Sequence, residues 1–395
     1  MTPPTSPRTH RGASRRTTVT VATTVTALAV ALTGTALAGH DSHHATREAV
    51  EAAVKDGVPG ITLTARDTHG RWSTTAGVGD LRTGQPRTPA DRYRVGSVTK
   101  TFVATVLLQL ESEGRLSLDD TVDRWLPGAV RGNGNDGGAI TVRHLLNHTS
   151  GLYDYTSDPG FARAHFTADG FLAHRHDTHT PADLLAVALR HRPLFTPGDG
   201  WSYSNTNYVV AGSVIEAVTG RPYGDEIRAR IIRPLHLTST SVPGTRPDVP
   251  APSSRAYSKL SPTSTTGPTY DVTRFNPSIA GAAGEMISNS TDLNRFYSAL
   301  LRGALLPPEQ LKEMKTTVPA PDAAPPTKER YGLGLASRQL TCGTVVWGHG
   351  GGIYGSLSEA VTTADGGHTL AFNLNGDWTG ATDAILEAEF CPEGR

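Results

Sequence analysis

A chain of 395 residues is too long for one small core and asks for one large or two interlocked domains. Its 37 Lys and Arg balance 37 Asp and Glu, so no net charge draws it toward nucleic acid or an acidic surface, and nucleic-acid binding is set aside. A hydrophobic content of 37% sets aside intrinsic disorder as well.

At the N-terminus Arg8, Arg11, Arg15 and Arg16 precede an uncharged run from Thr17 to Leu37, closed by Ala36-Leu37-Ala38. This is the charge, apolar and small-residue order of an export signal cut after Ala38. The stretch Val19 to Leu32 is short for a membrane span, so residues 1–38 are expected to be removed and the protein secreted, with no span left. Arg15-Arg16 raises a twin-arginine route, which Thr17-Thr18-Val19 fits poorly. His40 to His44 reads as a frayed terminus rather than a metal site. A helix over 45–56 with Val50, Ala53 and Val54 inward follows, then a hairpin of Gly60 to Ala65 and Trp72 to Gly77 around Asp67-Thr68-His69-Gly70.

The most informative stretch runs from Arg92 to Leu110. Phe102, Val103, Val106, Leu107 and Leu110 fall three and four apart, the spacing of a helix with one buried face, and Ser97 opens it. Lys100 lies one turn on, within reach of the Ser97 hydroxyl. A serine needs a proton acceptor to attack, and a lysine serves when burial lowers its pKa. Farther on, Thr141 to Leu152 reads as a helix stopped at Gly151, with His144 and His148 four apart as structural residues, and Pro181 to Arg190 as a helix capped by Thr180.

Phe195 to Tyr208 is a tight polar turn before an apolar helix over 209–219. In an extended segment Tyr203 and Asn205 point the same way, Tyr203 as a phenol of depressed pKa that shuttles a proton and Asn205 as donor and acceptor for a substrate amide. Pro243 to Phe275 reads as a long surface loop, and a helix starts near Ser290-Thr291. Thr344 to Trp347 is a strand that His349 and the glycines Gly350, Gly351 and Gly352 end; their N–H groups can line an extended substrate and supply an oxyanion donor beside that of Ser97. A strand over 368–375 and a helix over 379–390 close the chain. Cys342 and Cys391 are the only cysteines and, in an exported protein, read as a disulfide. No spacing suggests a metal site.

Ser97-x-x-Lys100, Tyr203-x-Asn205 and His349-x-Gly351, in that order, resemble the serine penicillin-recognising enzymes, and more narrowly the secreted D-alanyl-D-alanine carboxypeptidases of Streptomyces type and the class C β-lactamases and esterases. Gly96 to Lys100, His144 to Leu152 and Tyr331-Gly332-Leu333-Gly334 are similar to that family too. The resemblance implies an α/β (α+β) fold: an antiparallel sheet flanked by helices from both chain ends, residues 39–95 and 281–395, with a mainly helical region, 96–280, inserted between. It implies Ser97 as nucleophile, Lys100 and Tyr203 passing the proton, Asn205 placing the substrate, His349 keeping the Tyr203 region positive, and the N–H groups of Ser97 and Gly352 as oxyanion hole. No cofactor is needed. The expected activity is that of a D-Ala-D-Ala carboxypeptidase working as a monomer on peptidoglycan peptides and acylated by β-lactams. The alternatives are an esterase or D-amino-acid amidase taking a small amide or ester, and a penicillin binder that is acylated without turnover. One departure stands out: such carboxypeptidases carry Thr after the motif His, with a further hydroxyl nearby for the terminal carboxylate, whereas here Gly350 and Gly352 follow. Arg338 is the expected replacement for holding that carboxylate.

Overall fold

Alternating apolar and polar residues on either side of the Asp67–Gly70 turn produce the expected hairpin, β1 (Gly60–Asp67) and β2 (Gly70–Gly77). The computed structural model describes residues 43–261, 264–321, 328–379 and 382–391, so the expected export signal at 1–38 lies outside the described residues. Helix α1 (His44–Lys55) precedes the hairpin. Late in the chain come β3 (Val318–Pro319), β4 (Lys328–Tyr331), β5 (Ala336–Gln339), β6 (Val345–Ile353), β7 (Ser356–Thr363) and β8 (Thr369–Leu374). Together they make one antiparallel eight-stranded sheet in the order β2-β1-β8-β7-β6-β5-β4-β3, which joins the two ends of the chain.

Between the ends run α2 (Thr99–Ser112), α3 (Val142–Leu146), α4 (Pro159–His165), α5 (Ala168–His174), α6 (Pro181–Ala188) and α7 (Asn205–Thr219); α8 (Ser290–Leu301) and α9 (Thr382–Phe390) return to the sheet. One apolar core unites Phe102 and Val106 of α2, Val210 and Val214 of α7 and Phe296 of α8 with Ala360 and Ala371 of the sheet. A second, across the sheet, packs Val50 and Ala53 of α1 and Ile385 and Leu386 of α9 on Ile61, Leu63 and Phe372. Helix α2 is buried nearly all round, not on one face, because it runs through the middle of the first core.

The structure redraws three expected elements. Helix α3 ends at Leu146, five residues short of Gly151: His148 has φ 63°, a left-handed conformation that takes the chain out of the helix, so His144 and His148 share no helical face. Strand β6 does not stop at His349 but continues through the glycines to Ile353. The 243–275 loop contains a short pair, Tyr257–Ser258 with Tyr270–Asp271.

Cys342 and Cys391 are bonded, tying the turn before β6 to the end of α9. His43, expected in a frayed terminus, is buried: its ring stacks on Trp72 at 4.5 Å and Nδ1 lies 3.1 Å from Glu389 Oε2. Burial pushes the Glu389 carboxyl up, but hydrogen bonds from His368, His43 and Thr46 outweigh it and hold the pKa down to about 2. A carboxyl depressed in the folded state stabilises above its unfolded pKa, here 4.5, and loses that contribution as pH falls toward 2. Glu389→Gln is therefore expected to cost about 3 kcal/mol at pH 7. In urea titrations the gap to wild type should close between pH 4.5 and 2; a gap constant with pH would refute the assignment.

Candidate active site

Backbone packing, before any side chain, brings the site together. Tyr93–Arg94 pairs with Ile287–Ser288, and a 3-10 turn, Gly96–Val98, leads into α2. That turn lies against β6. A Cβ on Gly351 would stand 2.0 Å from the Val95 carbonyl oxygen and 2.9 Å from the Ser97 nitrogen, and one on Gly96, whose φ is 53°, would stand 2.8 Å from the Gly352 nitrogen. Strand β6 continues through glycines because backbone meets backbone here.

The same strand has an open edge. Its ladder with β5 ends at the Ala336–Gly348 pair, while the two-residue Tyr354-Gly355 loop closes the β6–β7 hairpin at Ile353 and Ser356. Antiparallel strands turn alternate residues to alternate neighbours, so Ile353, Gly351 and His349 bond to β7. Gly350 and Gly352 turn their N–H groups to the uncovered side, where Ser97 sits.

Lys100 is fully buried. Its Nζ lies 2.9 Å from Ser97 Oγ, 2.8 Å from Asn205 Oδ1 and 2.8 Å from the Ala283 carbonyl oxygen. Burial lowers its pKa to about 7, with Asp154 pulling weakly the other way. When the amine is neutral, its two N–H groups donate to the two carbonyl oxygens, and its lone pair faces the Ser97 hydroxyl. That geometry suits a base.

Tyr203 runs opposite to expectation. Burial pushes its phenol up, a hydrogen bond with Ser97 only partly offsetting this and Asp154 and Glu329 adding to it, so at neutral pH the group is a proton donor. His349 differs as well: burial, with Lys100 nearby, lowers its pKa to about 3, so the ring is neutral and lends no positive charge to Tyr203. Its Nδ1–H donates to the Gly350 carbonyl at 2.5 Å, and Nε2 accepts from the Tyr331 hydroxyl at 2.7 Å. Asn205 has its amide occupied, Oδ1 by Lys100 and Nδ2 donating to Asp154 Oδ2 at 3.0 Å, so it holds the lysine instead of offering both groups to substrate. Arg338 lines the cleft, but its guanidinium is taken by Asp383 at 2.9 Å and Glu329 at 3.3 Å, with Glu359 at 3.9 Å, and it has no free fork for a substrate carboxylate.

The sequence gives several neighbours no place at the site, although it marks His148 as structural, and both His148 and Tyr331 lie in family-like stretches. His148 is buried beneath Tyr203, ring centroids 4.3 Å apart, and its Nδ1 accepts from the Ser204 N–H and the Asn207 amide, which pins the turn carrying Tyr203. Asp154 and the Ala283 carbonyl fix Asn205 and Lys100. Tyr331 came with a family-like stretch but with no role.

Two cavities open from Ser97. One, of about 280 Å³, runs past Tyr203 and His349 over the glycines to Glu329, Arg338 and Glu359. The other, of about 370 Å³, runs past Asn205 and Gly352 to Phe166, Leu260, Ile279, Tyr354 and Leu357, with Thr156, Ser258, Ser261 and Asp377 adding polar groups to the lining. Among the described residues no group of three His, Cys, Asp or Glu side chains is placed to hold a metal ion.

A family model described as Beta-lactamase matches residues 46–390. Among solved structures, a D-stereospecific amidohydrolase from Streptomyces sp. is 59% identical with a TM-score of 0.83, the match covering 89% of this chain and 99% of that one. Among curated proteins, penicillin-binding protein 4* of Bacillus subtilis (strain 168) is 31% identical over 46% of this chain and 38% of its own length. Esterase EstB of Burkholderia gladioli is 33% identical over 48% of each. The chain spans about half the length or less of these two curated relatives.

Proposed function

The chain belongs to the beta-lactamase family of serine hydrolases, and from that premise we propose that it hydrolyses amides and esters of D-amino acids through an acyl-enzyme on Ser97. The observation that carries this reading is the 59% identity, over 99% of its length, to a D-stereospecific amidohydrolase. The cavity beside Asn205, lined by Phe166, Leu260, Ile279, Tyr354 and Leu357 with a few polar groups among them, supports an acyl group with a large apolar side chain. Ser97 Oγ attacks the carbonyl while its proton passes to neutral Lys100, and the N–H groups of Ser97 and Gly352 take the developing oxyanion. The Tyr203 hydroxyl hands a proton to the leaving amine or alkoxide and is reprotonated from Lys100. Water then cleaves the ester on Ser97 by the same route. Every group comes from one chain, so a monomer suffices.

The expected carboxypeptidase activity on peptidoglycan peptides has less support, since Arg338 is already paired. Acylation by β-lactams fits the same machinery. Work outside the cell membrane is supported by the disulfide; no helix among the described residues is long and apolar enough to cross a membrane.

The test is hydrolysis of D- and L-phenylalaninamide by the protein lacking residues 1–38, with Ser97→Ala as control. Ammonia release from the D form, at least about tenfold over the L form and lost in the control, is expected. Equal rates on the two forms would refute the stereochemical reading, and equal rates in wild type and control would refute catalysis by Ser97.

A further inference from the structure

The departure at position 350 has a structural counterpart. Gly350 is paired across the ladder with Glu359, and a Cβ on Gly350 would lie 2.9 Å from Glu359 Oε2. The Glu359 carboxyl therefore fills the space a side chain at 350 would occupy, in the wall of the cavity that Ser97 and Tyr203 also line. Glu359 is 5% exposed, and its nearest cation, Arg338, is at 3.9 Å, longer than a hydrogen bond. Arg338 also serves Glu329 and Asp383, so one positive charge faces three carboxyl groups.

We propose that Glu359 is a specificity-determining residue for the leaving group: this part of the cleft accepts a neutral hydrogen-bond donor or a cation, such as a carboxamide or an ammonium, and rejects a carboxylate. The inference deepens the acyl-enzyme reading and rests on it. A carboxylate entering here meets an excess of negative charge with no free cation, whereas an N–H donor gives Glu359 the partner that Arg338 does not. Burial pushes the Glu359 carboxyl up to about 7, with Arg338 pulling down and Glu329 and Asp383 adding to the rise, which fits a buried acid short of donors.

The experiment compares phenylalanyl esters of glycolate, of glycolamide and of 2-aminoethanol at pH 8, in D and L series. The first two leaving groups have nearly the same shape and differ by one charge. Wild type is expected to favour glycolamide over glycolate by at least about tenfold in kcat/KM, with the aminoethyl ester no worse than glycolamide. Glu359→Gln, which keeps the shape, should narrow the ratio at least about threefold by raising the glycolate rate. A wild-type ratio near one, or a ratio unchanged in both Glu359→Gln and Glu359→Ala, overturns the proposal. The wild-type comparison needs no variant to fold. The ratio is read on whichever enantiomer is cleaved, so an enzyme without D preference defeats the stereochemical reading and leaves the leaving-group test intact.

Discussion

Lys100→Met is expected to lose at least about a thousandfold in kcat and yet to gain stability against wild type as the pH falls. Removing a base that works at this distance from its nucleophile costs two to four orders of magnitude in general, and here the amine has no substitute: Tyr203 holds its proton and His349 is neutral but bonded through both ring nitrogens. The stability effect follows from the same burial. The folded pKa is about 7 and the unfolded value 10.5, so between these limits the unfolded chain binds a proton that the folded one does not. Wild-type stability therefore falls as pH is lowered from 10.5 to 7, by about 1.4 kcal/mol per unit, and is flat below. Methionine fills the space and carries no such penalty. Denaturation of both proteins at pH 7 and pH 9.5 measures the difference, in which the lost hydrogen bonds to Asn205 and Ala283 cancel. Parallel stability curves would show that Lys100 is not desolvated as its surroundings imply. In wild type the acylation rate should rise with pH through about 7, as the amine loses its proton.

The second large effect separates two adjacent glycines. Gly351→Ala places a methyl 2.0 Å from the Val95 carbonyl oxygen, and neither backbone can yield without moving the Ser97 N–H. Loss of an oxyanion donor costs about a hundred- to a thousandfold in kcat, and a forced core contact about 1–3 kcal/mol. Gly352→Ala meets only Leu357 Cδ2 at 3.4 Å and should stay within a few-fold of wild type in rate and keep its melting temperature. Equal behaviour of the two variants, whether both dead or both active, would contradict the packing of β6 on the nucleophile turn.

The hairpin, α1, the buried helix after Ser97 and the apolar helix after Tyr203 were legible because each announces itself by local periodicity or turn chemistry. The three motif stretches were legible for the same reason. What the chain does not announce is set by partners far along it. Glycines usually end a strand, and β6 runs through three: the backbone at 95–97 lies across Gly351, and the Glu359 carboxyl takes the space beside Gly350. Tyr203 and His349 have their protonation set by how deeply neighbours bury them, which no spacing reveals. Arg338 looked free because Glu329, Glu359 and Asp383 come from three other elements. Gly350 looked like missing recognition until Glu359, nine residues on, was seen to occupy its place.

The three contacts of Lys100 span sequence separations of 3, 105 and 183 residues. The lowered pKa of the amine is thus a property of the tertiary fold and not of the Ser97–Lys100 segment alone. While either distant carbonyl is missing, the side chain is solvated, keeps its proton and leaves Ser97 inert. A chain lacking residues 205 and 283 therefore carries the Ser97–Lys100 pair without the contacts and the burial that lower the pKa of the amine.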